Sequence, residues 1–239
     1  MSVMIMGVGE AASRLGVSSQ RVRALINAGL LEATEISGRY VVDDDSLDAL
    51  AGHVRHTAIR AFSRRIAWSA AALADGVRPT WISQSELSRL RTRMTNAEAD
   101  VDAWRARIRA RAGSRATYRL GRTRLDSLLS SAGVARSGTV ATNLVTDRQV
   151  GDAGVAVWLA TRDQRDHLIK TFGLLASSSG NVTVRTADVA GLDQVGTGVD
   201  AYRMIVAGDL LDSTDARGRH AGAELLVSAL SERRWQHAA

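Results

Sequence analysis

The sequence predicts an α+β fold: a winged helix-turn-helix head, an Arg-rich helical middle region, and a C-terminal mixed α/β domain with a small sheet. Three observations predict it. The first fifty residues hold two short helical patterns, parted by a glycine turn and followed by an alternating hairpin pattern. Residues 58–111 carry helical periodicity with many arginines. Two later runs, 154–160 and 181–185, read as strands set among helices. The boundaries that follow are 1–52 for the head, 53–115 for the basic helical linker and 116–239 for the last domain.

Ala11, Ala12 and Leu15 recur at helical spacing, so residues 10–15 read as a short amphipathic helix, which Gly16 stops. Val17 can plug the space between two helices. Ser18 or Ser19 suits the N-cap of a second helix, whose inner face is Val22, Leu25 and Ile26 and whose end is Gly29. Its outer face presents Ser18, Ser19, Gln20, Arg21, Arg23 and Asn27. Residues 34–42 alternate around Ser37-Gly38, a hairpin-turn pair, and place Arg39 near the tip. Two helices joined by a tight turn are the plan that lays a second helix in the major groove of DNA. Arg and Gln make bidentate pairs with guanine and adenine, so Gln20 and Arg21 suit bases; Ser18, Ser19 and Arg39 suit phosphates.

Asp43, Asp44 and Asp45 precede a helical pattern at Leu47 to Leu50 and read as its cap. His53 and His56 lack further ligands at metal-binding spacing. Residues 58–74 read as a helix with Ile59, Phe62, Ile66, Ala70 and Leu73 inward. Ser83-Gln84-Ser85-Glu86 is a capping-box pattern that opens a helix over Leu87 to Met94. Asn96 suits the cap of a helix over 97–111, with Val101, Trp104 and Ile108 inward and Arg105, Arg107, Arg109 and Arg111 outward. The candidate auxiliary basic patch is Arg60, Arg64, Arg89, Arg93, Arg105 and Arg109. Its alternatives are a solvated Arg-rich face and a dock for an acidic partner.

Beyond it, Tyr118 to Leu120 reads as a short strand, 124–132 and 139–145 as short helices, 154–160 as a strand buried on both faces, and 162–172 as a helix. Residues 181–185 read as a second strand, and 201–211 and 216–234 as closing helices. Asp209, Asp212 and Asp215 recur every third residue. They outline a cation site or, by the simpler reading, the cap of the last helix.

Composition narrows the function classes. The chain has no cysteine, so disulfides and thiolate sites are excluded, which fits a reducing cytoplasm. No run is long and apolar enough for a membrane span, and the start lacks the pattern of a secretory signal. The net charge of +6 is uneven: residues 1–50 hold four arginines against seven acidic residues, residues 51–120 fourteen against five, and the remainder thirteen basic against thirteen acidic. The reading head is therefore mildly acidic and its neighbour strongly basic. With five His, no phosphate-binding loop and no nucleophile elbow, nothing assembles into a catalytic set. The sequence reads as a non-enzyme with no catalytic residue, metal or cofactor.

The run Ala11-Ala12-x-x-Leu15-Gly16-Val17-Ser18, then Arg21-Val22-x-x-Leu25-Ile26, Gly29-Leu30-Leu31 and Gly38-Arg39-Tyr40-Val41-Val42, resembles the winged helix-turn-helix of the MerR and excisionase-like families. The order of later pieces is similar to the AbiEi-like antitoxins of bacterial type IV toxin–antitoxin systems. Those pieces are Ser85 to Leu90, Ser137-Gly138, Asn181 to Arg185 and Ala207 to Arg217. The head itself is closer to the MerR and excisionase type. The AbiEi-like resemblance implies double-stranded operator DNA as a partner, autorepression of an operon, and neutralisation of a nucleotidyltransferase-like toxin by the C-terminal domain. Half-sites related by a two-fold axis would imply a homodimer. A conventional regulator with a ligand-binding or dimerising domain, and a nucleic-acid-processing enzyme with a DNA-binding head, are the alternative readings.

Overall fold

The computed structural model describes residues 5–15, 17–27, 31, 33–36, 39–43, 59–141, 144, 155–197, 199–213 and 215–238. It is an α+β protein of two compact units, Met1–Arg60 and Ala61–Ala239. Asp44, Asp45, His53, His56 and the glycines expected at 16, 29 and 38 lie outside the described residues; Asp43 ends a strand.

The first unit runs β1 (Ile5–Gly7), α1 (Val8–Leu15), α2 (Ser19–Asn27), β2 (Ala33–Ile36) and β3 (Arg39–Asp43). The helix pair and hairpin fall where the periodicity puts them. The strand β1 has no counterpart in the sequence pattern, because three residues are too few for alternation to show. It pairs antiparallel with β3, giving a three-stranded sheet in the order β1-β3-β2.

The second unit holds α3 (Arg64–Ala74), α4 (Gln84–Thr95), α5 (Val101–Ile108), β4 (Ser114–Arg119), α6 (Arg122–Leu129), β5 (Ala135–Ser137), β6 (Val155–Leu159), α7 (Arg162–Phe172), β7 (Leu175–Ala176), β8 (Val182–Thr186), β9 (Gly196–Thr197), β10 (Asp200–Ala201), α8 (Arg203–Leu211) and α9 (Ala216–Ser231). Its sheet is not small. Seven strands lie in the order β7-β4-β8-β6-β5-β10-β9, mixed in direction, with β6 and β8 parallel around α7. Four of the seven have only two or three residues. Strands so short leave no periodicity to read.

Local chemistry corrects three helix boundaries. Phe62 is buried, but its amide donates to the Arg107 carbonyl and Ser63 after it is extended, so the helix starts at Arg64. Asn96 closes α4 rather than opening α5, because Asp100 supplies the α5 cap through its bond from the Ala103 amide at 2.9 Å. At 139–145 only a 3₁₀ turn, Gly138–Val140, lies within the described residues. The capping box at Ser83 and Glu86 forms as its sequence pattern predicts.

The sheet is sandwiched. Val157, Leu159, Val182, Val184 and Tyr118 meet Leu128 of α6 and Leu168 of α7 on one face. Trp158, Ala135 and Ala160 meet residues of α3, α8 and α9 on the other. The helices of 64–108 thus share a core with residues 116–239, and the unit boundary falls after Arg60 rather than near residue 115. Two glycines let helices approach closely. A methyl at Gly222 of α9 would meet Leu210 Cβ at 2.8 Å and the Ala207 carbonyl at 2.9 Å; one at Gly208 would meet Ile108 and Arg111 at 3.0 Å.

The core also encloses charge. Asp209, on the inner side of α8, is nearly inaccessible, and its Oδ2 accepts from Ser137 Oγ at 2.6 Å and Trp158 Nε1 at 2.7 Å. Its Oδ1 accepts from Arg111 Nε and Nη2 at 3.2 and 2.8 Å. Arg111 Nη2 also reaches Asp212 at 2.6 Å, and Asp212 accepts from Arg105. Arg111 is therefore buried, not outward, and Arg105 faces Asp212. Arg111 lies beyond the end of α5 at Ile108, so helical spacing does not set its direction. The third aspartate, Asp215, caps α9 by accepting from the Gly218 amide at 2.8 Å. The three-residue recurrence serves three guanidiniums, those of Arg105, Arg111 and Arg185, and a cap.

Burial alone would raise the Asp209 carboxyl. Arg111 and Arg185 beside it, with the Ser137 and Arg111 hydrogen bonds, override that and hold it below the usual carboxylate range. A carboxylate with a depressed folded pKa contributes stability above its unfolded value, near pH 4, and loses it as pH falls through the lower folded value. Asp209→Asn is therefore expected to cost about 3–5 kcal/mol at neutral pH, by leaving buried guanidiniums under-paired. Its stability should also fall less steeply than the wild type's below pH 4, as followed by urea unfolding across pH 2–7. Gly222→Ala is expected to destabilise by about 1–3 kcal/mol through overpacking, read from the same unfolding curves.

Candidate nucleic-acid interface

The first unit is built from the inside outward. Met6, Ala11, Ala12, Leu15, Val22, Leu25, Leu31 and Val42 form its core, and Val8, Val17, Ile26 and Ala33 pack on its rim. Alanines at 11 and 12 let α2 lie close across α1. The Val17 amide donates to the Ala12 carbonyl at 3.0 Å, closing the turn. Ser18 is the cap of the second helix: its hydroxyl accepts from the Arg21 amide at 3.2 Å, and its carbonyl accepts from the Val22 amide. The residue that ends the turn thus also fixes the direction in which α2 leaves it.

With Val22 and Leu25 inward, helical geometry turns Gln20, Arg21 and Arg23 to solvent; all three are exposed, as is Ser18, and Ser19 is half-buried. Five of the seven residues expected to meet DNA therefore lie together on the N-terminal half of α2 and its cap. Asn27 ends α2 and Arg39 opens β3, facing Ile36 across the hairpin register. Their side chains lie outside the described residues. The N-terminus of α2 adds a partial positive charge where the helix would approach phosphates.

The six residues of the expected basic patch differ in their surroundings. Arg60, Arg89 and Arg109 are exposed. Arg64 is half-buried and donates to the Asp188 carbonyl at 3.4 Å. Arg93 lies 4.7 Å over the Phe62 ring, and Arg105 is held by Asp212 at 3.0 Å. Neighbours outside the expected set are also occupied: Arg107 lies 5.1 Å from the Trp104 ring, Arg65 pairs with Glu86, and Arg91 donates to the Ala238 carbonyl. Burial, then the proximity of Arg93, lowers the Arg107 pKa, with Asp100 opposing. Sequence spacing could not separate most of these roles, because the partners of Arg64, Arg91, Arg93 and Arg105 lie far along the chain; only the Arg107–Trp104 contact is local.

Among the described residues no group of three His, Cys, Asp or Glu is placed to hold a metal ion, and no helix is long and apolar enough to cross a membrane. No protein family, curated protein or solved structure matches the chain.

The cap makes two roles of Ser18 separable. Ser18→Ala is expected to cost the head about 1 kcal/mol of stability, because the Arg21 amide then has no side-chain acceptor. Ser18→Asp keeps a capping oxygen, so it should fold like the wild type while adding a negative charge where phosphate would lie. Circular dichroism melting of both variants, paired with a DNA titration, checks this. A Ser18→Asp head that melts normally and binds DNA as tightly as wild type would remove the N-terminus of α2 from the interface.

Proposed function

We propose that the chain is a sequence-specific DNA-binding repressor of its own operon, acting as the antitoxin of a toxin–antitoxin pair. The observation that carries the DNA reading is the outward face of α2. It displays Gln20, Arg21 and Arg23 on a helix fixed from behind by Val22 and Leu25. Side chains on a pre-organised helix reach base edges at little ordering cost, and Arg and Gln carry the donor and acceptor pairs that tell guanine and adenine apart.

Affinity requires more than this face. Residues 1–50 carry four arginines against seven acidic residues, and DNA binding draws much of its strength from neutralised phosphates. Arg60, Arg89 and Arg109, exposed and outside the ion pairs described above, are the cations that suit such contacts. The antitoxin role rests on the resemblance of the pieces along residues 85–217. It assigns the contact with a nucleotidyltransferase-like toxin to the Ala61–Ala239 unit and places the protein in the bacterial cytoplasm. A two-fold related pair of heads on an inverted repeat completes the reading.

The test is a gel-shift titration on a duplex carrying the sequence upstream of the gene. Arg21→Ala and Gln20→Ala should weaken that duplex about tenfold to hundredfold while barely changing binding to random DNA. Arg60→Ala and Arg109→Ala should weaken both alike and lower the salt slope by about 0.9 for each phosphate no longer neutralised. Unchanged binding in Arg21→Ala and Gln20→Ala would overturn the recognition-helix assignment. Co-expression of the chain with a toxic neighbouring gene product tests the antitoxin role separately: failure to restore growth would sink it.

A further inference from the structure

The sheet of the second unit carries a polar block on the face opposite the α6 and α7 core. Strand alternation sends Ala116, Tyr118, Val182 and Val184 into the core shared with α6 and α7. The intervening residues face the other way: Arg115 and Thr117 on β4, Thr183 and Arg185 on β8. Arg115 sits directly opposite Arg185, and Thr117 directly opposite Thr183. Two guanidiniums and two hydroxyls thus form a two-by-two block, about 5 Å wide between strands and about 7 Å long along them.

Two features suit this block to an anion. Like charges directly opposite in an antiparallel pair oppose folding. Here one of them, Arg185, is also almost wholly buried: its side chain is 9% exposed. Arg185 Nη1 lies 2.7 Å from Asp209 Oδ2, yet outside hydrogen-bond geometry, so this buried donor has no hydrogen-bond partner. Arg115 is exposed, and among the described residues neither it nor the two threonine side chains has an ion pair or hydrogen bond. The carboxylates near Arg185 are already engaged. Asp209 is shared between Arg185 and the donors Ser137, Trp158 and Arg111, and Asp212 serves Arg111 and Arg105. Burial first, and then Arg111 and Arg115, lower the Arg185 pKa against the pull of Asp209 and Asp212. The local surplus is positive.

We infer that the Arg115, Thr117, Thr183 and Arg185 block binds a phosphate group, the guanidiniums taking its charged oxygens and the threonine hydroxyls donating to the remainder. Guanidinium matches tetrahedral oxyanions bidentately, and hydroxyls complete such sites without adding charge. The bound phosphate also offsets the Arg115–Arg185 opposition. The site is independent of the proposed DNA face on α2. Its phosphate belongs either to a soluble phosphate ester or to a nucleic-acid strand, and the experiment separates these.

The full chain is melted in sodium phosphate and in sodium chloride at matched ionic strength and pH, as wild type, Arg115→Gln, Thr183→Val and Arg21→Ala. Phosphate should raise the wild-type Tm with a saturating dependence. Arg115→Gln, at an exposed position, should melt no lower than wild type in chloride and bind phosphate about tenfold more weakly. Thr183→Val should weaken phosphate binding by a smaller factor. Arg21→Ala should respond like wild type, which keeps this result distinct from any failure of the DNA reading. General salting effects act equally on all four proteins. Identical phosphate responses in wild type and Arg115→Gln would overturn the site. A short single-stranded oligodeoxynucleotide is then titrated into wild type and Arg115→Gln. An affinity difference larger than that for phosphate assigns the block to a strand backbone; no difference assigns it to a soluble ester.

Discussion

The second unit depends on one buried carboxylate. Asp209 stands on α8 and takes hydrogen bonds or ion pairs from β5 through Ser137, β6 through Trp158, β8 through Arg185 and the segment that follows α5 through Arg111. These contacts link three strands and that segment to α8 at one point. An unpaired carboxylate there would cost several kcal/mol. Only arrangements that bring all four donors to α8 satisfy it, so the network fixes how the helical layer sits on the sheet. Apolar contacts alone tolerate small slides between a helix and a sheet; this network does not. Trp158 adds to the constraint by packing edge-on against Trp68, whose own Nε1 donates to the Arg111 carbonyl at 2.8 Å.

The first unit is organised by a different constraint. Its core is small and apolar, and its polar groups are spent on the local turn and cap around Ser18. The same helix that buries Val22 and Leu25 therefore keeps Gln20, Arg21 and Arg23 exposed to solvent. In the second unit, by contrast, most arginines have structural work: Arg203 joins Asp75 and Glu232, Arg136 joins Asp200, and Arg162 joins Asp188. Buried and paired guanidinium holds a fold together, and exposed guanidinium on a rigid helix is available to a ligand.

Much of this was legible where the signal is local. The α1–α2 pair, the hairpin, the Ser83 capping box, α7 and the Asp215 cap follow from spacing and capping residues, because the interactions that decide them lie within one helical turn. What could not be read depends on distant partners. Arg111 looks like any outward arginine until Asp209, 98 residues later, is folded against it. The short strands β5, β7, β9 and β10 exist only because neighbours pair with them. The Arg115–Arg185 opposition is a fact of register, and register is set by the whole sheet.

Charge counting alone therefore misjudges the basic middle region. Fourteen arginines between residues 51 and 120 suggest a continuous polyanion-binding surface. Pairing and stacking occupy Arg65, Arg93, Arg105, Arg107 and Arg111, and Arg64 and Arg91 bond backbone carbonyls. An ion pair already made inside the protein releases no counterions from DNA, so these residues add little to a salt-dependent affinity. On the proposed DNA-binding reading, the electrostatic contribution that remains belongs to a few exposed side chains, and base readout carries a larger share of binding. On that same reading the net negative head penalises every non-specific duplex alike, and a sequence that engages Gln20 and Arg21 offsets the cost.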